Sequence, residues 1–502
     1  MKRVLQICTL LAVSLFDLSA PAQVMLTQQP SSVTTSVGAT VSFTVGANST
    51  NALSYQWQKN GTDISGANNS TLTLTNVQFA NVGNYSAVVS DGSTNAVSSN
   101  ASLNITLYEP YWVTTLAGKP SSSGGYKDGT NNVAMFTDPD SIAVDTAGNL
   151  FVVEFTLGTL RKVTPVGSNW VVTTIAGRGT NGVTFNSPNG VAVDNAGNVF
   201  VLDFNSAGRI TEISPNGTNW TVTTLATNVN GGAGLGGLAV DSAGTLYFPG
   251  QGRRTIRKLE LSGSDWVASD IAGMPGVIGS SDGTNTDARF NLCDRIAVDT
   301  HGTIYVGDYG NQTIRVIRKY DTNYVVTTLA GVAGSAGWCD GPGATARFSS
   351  PEAIAVDASG NVYVGDAHLR KITPDGFVTT IAGNRNGVSD GLGASAGYGA
   401  IYGAAADANG YLYFTDSGNN TIRRAQPVNI EFNSPAVIAT NSSFAFEFGV
   451  TLLSNLSYRV QFSTNLVNWA ALTNFTATNP PFNFADTGLS NNPARFYRVV
   501  TP

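Results

Sequence analysis

The feature that most limits how this chain can fold is a short phrase that returns along its middle. It reads Ile142-Ala143-Val144-Asp145 first and comes back as Val191 to Asp194, Leu238 to Asp241, Ile296 to Asp299 and Ile354 to Asp357, with a degraded sixth copy at Ala404 to Asp407. Each copy opens the same longer unit. A small-residue turn follows (Ala147-Gly148-Asn149), then an apolar run such as Val362-Tyr363-Val364, then an acidic residue (Glu154, Asp203, Asp308, Asp366, Asp416). A basic strand comes next, as in Leu369-Arg370-Lys371-Ile372, and the unit closes on Thr-Thr-Ile/Leu-Ala-Gly, as at Thr173 to Gly177 and Thr379 to Gly383. A repeat of roughly 50 residues built from four short strands buries its apolar faces only by stacking on its neighbours, which is the signature of a β-propeller blade.

These phrases resemble the NHL repeat family over residues 111–427. The resemblance implies a six-bladed propeller and leaves the function open, because such propellers host many unrelated activities. The last copy, after Arg423-Arg424, has no closing strand behind it, while Val113-Thr114-Thr115-Leu116-Ala117-Gly118 stands ahead of the first. The segment 113–118 is therefore expected to complete the sixth blade, leaving no open edge where the ring closes. An aromatic residue precedes each closing strand (Trp170, Trp220, Trp266, Tyr324 and Tyr111), where packing is expected rather than sugar stacking.

Charged residues make up 12% of the chain, about half the usual share, and Gly, Asn, Ser and Thr take their place. That composition suits turns and polar β-surfaces, so the fold class expected is all-β. The net charge of −6 argues against a nucleic-acid partner, which needs a basic face. Past the first residues no apolar run is long enough to span a bilayer. At the start, Lys2 and Arg3 precede an apolar stretch to Phe16, and Ala20-Pro21-Ala22 offers a cleavage site. Residues 1–22 thus read as a secretory signal peptide, giving a secreted, cell-surface or periplasmic chain that starts near Gln23. Cys293 and Cys339 remain; one disulfide between neighbouring loops and two buried thiols are both open.

Residues 24–107 alternate with period two and carry turn signals. Trp57 in Tyr55-Gln56-Trp57 and Tyr85 in Gly83-Asn84-Tyr85 resemble the buried tryptophan and corner tyrosine of an immunoglobulin-like sandwich. Val45 and Ala87 stand where that family has its cysteines, so packing alone must hold the core. Residues 428–502 show fresh alternation, as in Tyr458-Arg459-Val460-Gln461-Phe462, and resemble C-terminal modules of secreted bacterial proteins. A fibronectin-III-like or jelly-roll-like β-sandwich is expected there.

Chemistry has few places to reside. Asp128, Asp282, Asp340 and Asp390 each precede a glycine in a long loop, and most of these loops continue to Ala-x-Phe. Long loops on a rigid scaffold are where binding usually resides, and His368 shares that rim; as structural elements, the Asp-Gly pairs make turns and the Phe plugs between blades. The acid and the arginine of each hairpin, such as Asp308 and Arg315, are expected to meet as a surface pair contributing roughly 0–1 kcal/mol. Two residues before each phrase lie Asp140, Asn189, Gly236, Asp294, Glu352 and Tyr402. Asp140, Asn189, Asp294 and Glu352 offer oxygen ligands at the channel mouth, a donor set suited to calcium. Asp140, Asn189 and Glu352 also resemble strand starts of the gluconolactonase family, which implies one catalytic metal there. With two histidines, a Ser-His-Asp triad is poorly supplied.

The reading favoured is a monomeric, secreted, three-module recognition or adhesion protein that binds a protein or glycan through the loop-rich rim. A calcium-dependent hydrolase or lactonase at the mouth and a structural surface scaffold are the alternatives.

Overall fold

The computed structural model describes residues 23–427 apart from 36–39, 76, 78–80, 106–110, 122, 205–207, 230–235, 251, 253 and 386, and beyond 427 the strands alone. The expected leader, residues 1–22, lies outside the described residues. The chain divides into two compact units, Met1–Thr106 and Leu107–Pro502. Among the described residues no helix is long and apolar enough to cross a membrane.

The first unit is an immunoglobulin-like β-domain. Its largest sheet joins Val33–Thr35, Ala101–Ile105, Gly83–Ser90, Ser54–Lys59 and Thr62–Asp63, and Val41–Thr44 pairs with Thr71–Leu74. Trp57 is fully buried and Tyr85 nearly so, with Phe43 stacked on the tyrosine at 4.9 Å. The Tyr85 hydroxyl donates to the Asn81 carbonyl, and the Trp57 indole N–H to the Asn69 carbonyl at 2.9 Å. Val45 and Ala87, at the positions expected to lack a bridge, pack in the same core.

The second unit contains six antiparallel sheets of four or five strands, consistent with propeller blades and numbered here 1 to 6 along the chain. Their first strands are Pro139–Val144, Pro188–Val193, Ala239–Val240, Cys293–Val298, Ala353–Val356 and Ile401–Ala406. The second strands, such as Leu150–Glu154 and Ile304–Asp308, are buried at every residue, which is why they read as unbroken apolar runs. Each apolar core lies between two blades. Phe151 and Val153 of blade 1 meet Val199 and Val201 of blade 2. Phe200 and Leu202 meet Leu246 and Phe248 of blade 3, and so on to blade 6, where Tyr413 and Ile422 meet Ile142 and Val152 of blade 1. Burying one such side chain stabilises by about 1.5–3 kcal/mol, so the interfaces rather than the single sheets hold the unit together.

Blade 6 takes its outer strand, Tyr111–Ala117, from the start of the unit, paired antiparallel with Thr421–Pro427. The first and last blades also meet at the centre. A Cβ on Gly403 would lie 2.6 Å from the Asp140 carbonyl oxygen, so only glycine admits this backbone approach. The six first strands line a narrow tunnel with Ile142-Ala143-Val144 and its counterparts down to Ala404-Ala405-Ala406.

The aspartate that ends each phrase builds a turn. Asp145 Oδ1 accepts the N–H groups of Ala147 and Asn149 at 2.9 and 2.8 Å. Its other oxygen takes the Asn149 amide, and in blade 5 both Asn361 and the Tyr363 hydroxyl serve Asp357 in the same way. Three hydrogen bonds to one carboxylate, and four at Asp357, explain why that position does not vary among the copies. Past 427, Glu431–Thr440, Ser443–Thr451 and Phe482–Asp486 form one three-stranded antiparallel sheet, and Ala470–Thr476, Ser457–Ser463 and Phe496–Val500 form another.

Candidate functional site

The acid and the arginine of each hairpin meet, but not at the surface. Arg161, Arg315, Arg370 and Arg423 are among the most buried side chains of the chain, at 0–1% exposure. Arg315 donates through Nη1 to Asp308 and the Arg289 carbonyl, both at 2.9 Å. Through Nη2 it reaches Asp282 at 2.8 Å and the Ser281 carbonyl at 3.0 Å, and Phe290 lies under its guanidinium at 5.1 Å. Arg161 repeats this with Glu154, Asp128 and Phe136; Arg370 with Asp366, Asp340 and Phe348; Arg423 with Asp416 and Asp390. The expectation of a weak surface pair is corrected for a physical reason: the Asp-Gly loop folds over the hairpin as a lid and removes the pair from water. Burial pushes the Glu154, Asp308, Asp366 and Asp416 carboxyls upward, against the pull of their hydrogen bonds and arginines.

Asp128, Asp282, Asp340 and Asp390 are thus pinned into these clamps. All four also take an outer-strand threonine: Thr328 bonds Asp282 through both N–H and hydroxyl, Thr174 and Thr380 serve Asp128 and Asp340 in the same way, and Asp390 takes the Thr115 hydroxyl. The following Gly-x pairs add a fifth strand to blades 1, 4, 5 and 6. His368 lies on the rim, its main-chain N–H bonded to Asp366 and its ring 5.8 Å from that of Trp338, edge to face.

The mouth of the tunnel is built by β-bulges. Pro139 and Ser141 of blade 1 pair with Glu154 and Val153, leaving Asp140 as the extra residue, and the same irregularity sets apart Asn189, Asp294 and Tyr402 in blades 2, 4 and 6. Bulges re-aim side chains. Here they deliver Asp140, Asp294 and Tyr402 to one cavity of about 420 Å³, which Glu352 joins from just ahead of the first strand of blade 5 and whose walls also include Phe155 and Tyr309 from the hairpin loops. Asp138 and Leu292 complete it from the long loops, both in the left-handed backbone region at φ 53° and 55°.

One residue of this cavity carried no signal in the repeat. Arg295 occupies the position that is Ser141, Gly190 or Gly403 in other blades, and it reaches across the mouth. Its Nη2 donates to Asp140 at 2.7 Å, its Nη1 to the Asn189 carbonyl at 2.6 Å and its Nε to the Glu352 carbonyl at 3.1 Å. Asp294 stands 3.8 Å from Nε. A guanidinium therefore holds the centre where the sequence suggested calcium among Asp140, Asn189, Asp294 and Glu352. No group of three or more acidic, histidine or cysteine side chains able to hold a metal occurs among the described residues. The Asp140 carboxylate and the Asn189 and Glu352 carbonyls are organised around the internal cation Arg295. Burial pushes the Asp140 carboxyl up to about 6; Arg295 opposes the shift and Asp294 and Asp138 add to it.

Cys293 and Cys339 stand as two buried thiols, not bonded to each other. They occupy different places in their blades. Cys293 begins the first strand of blade 4, its Sγ 3.9 Å from Asp308, whereas Cys339 sits in the lid of blade 5 beside Asp340. A larger hollow of about 750 Å³ opens at the other end of the tunnel between blades 1 and 6. Its acids Asp145 and Asp407 are consumed by turns, and its Trp170 packs edge-on against Tyr413, so it reads as an inter-blade groove.

Comparison with known proteins agrees with this architecture. The immunoglobulin domain model matches residues 25–91, the NHL repeat model 185–211 and the teneurin NHL domain model 323–442. No curated protein matches the chain. Among solved structures, a protein of unknown function from Bacteroides thetaiotaomicron is 18% identical, with 82% of this chain and 99% of that chain covered at a TM-score of 0.51. That likeness shows the fold alone. The tandem immunoglobulin repeats of Dlar are 24% identical over 16% of this chain and 48% of theirs, at a TM-score of 0.16 that carries no argument.

Proposed function

We propose that the chain is a secreted recognition protein, monomeric and of three modules: an immunoglobulin-like domain, a six-bladed NHL-type propeller closed by its own first strand, and a C-terminal β-sandwich. The loop-bearing face of the propeller binds a protein or glycan ligand. The observation that carries this reading is what the clamps leave outside. Each of the four long loops exposes an apolar side chain just ahead of its pinned aspartate: Tyr126, Ile278, Trp338 and Val388, at 46%, 59%, 48% and 52% exposure. The arginines hold the neighbouring carbonyls of Lys127, Ser281, Cys339 and Ser389, so these side chains stand on fixed backbone. Exposed apolar groups on a preorganised frame around a cavity lose little entropy on binding.

The test is a glycan array together with a display library of extracellular protein segments, probed with the full chain and with a Tyr126→Ser/Trp338→Ser variant. The account expects a ligand whose affinity falls about tenfold or more in the variant while the melting temperature holds. A ligand bound equally by both, or no ligand from either collection, contradicts it; the second outcome favours a structural scaffold.

A further inference from the structure

We propose that the hollow of about 750 Å³ at the seam of blades 1 and 6 is a binding site for a neutral hexopyranose unit of a glycan. The site lies at the opposite end of the tunnel from the loop-bearing face and is independent of the rim reading.

The repeat shows that this seam is unlike the others. Three positions in the wall of the hollow depart from the other five blades, and all three belong to blade 6. Ala406 stands where each other phrase has a valine, such as Val144 or Val356, so the wall loses two methyl groups. Tyr411 stands where the turn elsewhere has asparagine or threonine. Asn149 and Asn361 spend their amides on the turn aspartate, whereas Tyr411 serves Asp407 through its main-chain N–H and puts a ring into the wall. Arg424 pairs across the strands with Tyr413, where the other blades place Lys162, Glu212, Lys258, Val316 and Lys371. A small residue, an aromatic ring and a guanidinium thus come together at one seam.

These side chains select the ligand. The Arg424 guanidinium lies 5.1 Å over the Tyr411 ring. Among the described residues no acceptor is bonded to it, and its Nε is buried. Lys258, at the same place in blade 3, pairs instead with Glu260. A cation half withdrawn from water without an acceptor is available to a ligand. Trp170 and Tyr411 are half-buried, so each gives ring surface to the hollow, and Trp170 is held edge to face against Tyr413 at 6.1 Å. Aromatic faces carry partial negative charge and pack against the C–H face of a pyranose, while the planar fork of N–H donors meets adjacent hydroxyl oxygens. Charge decides between sugars. Asp145 and Asp407 line the hollow against the guanidinium, their oxygens held by turn N–H groups. The surplus is negative, which repels a uronate and favours a neutral ring. At about 750 Å³ the space falls in the range of small-molecule sites.

The experiment is saturation-transfer NMR and calorimetric titration of the full chain with the methyl glycosides of glucose, galactose, mannose and N-acetylglucosamine, and with methyl glucuronide as the anionic counterpart. Binding of at least one neutral glycoside, tighter than that of methyl glucuronide, is expected. Tyr411→Asn and Ala406→Val install residues that other blades carry and should keep the melting temperature. Each should weaken binding about tenfold or more, as should Arg424→Met, while Tyr126→Ser/Trp338→Ser should bind as wild type does. No binding of any neutral glycoside, tighter binding of the glucuronide, or undiminished binding by folded Tyr411→Asn and Arg424→Met overturns the proposal. Loss confined to the rim variant assigns the sugar to the rim and defeats this inference alone. The rim is tested separately by running its array in the Tyr411→Asn background, so the two readings fail independently.

Discussion

Arg315 uses both edges of its guanidinium to hold a lid, and the two carboxylates it joins differ in exposure. Asp308 is wholly buried while the Asp282 side chain is 49% exposed. Arg315→Met leaves Asp308 charged and buried without its partner and is expected to cost about 3–5 kcal/mol in urea unfolding. Asp282→Asn keeps the turn and loses only a water-screened charge, for about 1 kcal/mol or less. Asp140 makes a different prediction. Its carboxyl is raised from 3.8 to about 6, facing Arg295, Asp294 and Asp138. In the pH window between these two values the folded state holds a proton that the unfolded state has released. Its contribution to stability is therefore full below the lower value and is lost as pH rises through about 6. Because the clamp acids shift the same way, the difference between wild type and Asp140→Asn isolates it: wild type should lose stability relative to the variant as pH rises through that window. A flat difference would show that Asp140 titrates normally.

The closing strand is the element on which the ring depends. A chain beginning at residue 108 keeps Tyr111–Ala117, whereas one beginning at residue 119 leaves Thr421–Pro427 as an open edge and uncovers Tyr398 and Phe414. The shorter chain is expected to self-associate in light scattering and to melt lower, and the longer one to remain monomeric. This strand was legible in the sequence because its phrase is a displaced copy of one that follows the other five blades. The first strands were legible for the same reason, as was the immunoglobulin-like core around Trp57 and Tyr85. Two things were not. Hairpin spacing shows that Asp308 and Arg315 meet, but not that a loop starting 33 residues before the arginine covers them. Arg295 breaks the repeat at one copy only, and its partner Asp140 lies 155 residues away, a separation that no periodicity reveals. The sequence therefore displayed the oxygens of the mouth without the cation around which they fold.

The whole molecule is a scaffold whose internal cations fix the loops that carry the exposed side chains Tyr126, Ile278, Trp338 and Val388. It also requires no covalent staple. The chain holds three cysteines, Cys8, Cys293 and Cys339, so a chain starting at Gln23 has two. Unfolded without reductant, it should titrate two thiols, where a bridge would give none. Holding and binding are separable, and one measurement addresses both: thermal melting of wild type, Arg315→Met and Tyr126→Ser/Trp338→Ser with and without the ligand selected from the array or the display library. A ligand that binds only the folded state raises its melting temperature. Arg315→Met should melt well below wild type and still shift upward with the ligand, while Tyr126→Ser/Trp338→Ser should melt close to wild type and fail to shift. A Tyr126→Ser/Trp338→Ser chain that shifts as wild type does, or an Arg315→Met chain that melts with wild type, would contradict this.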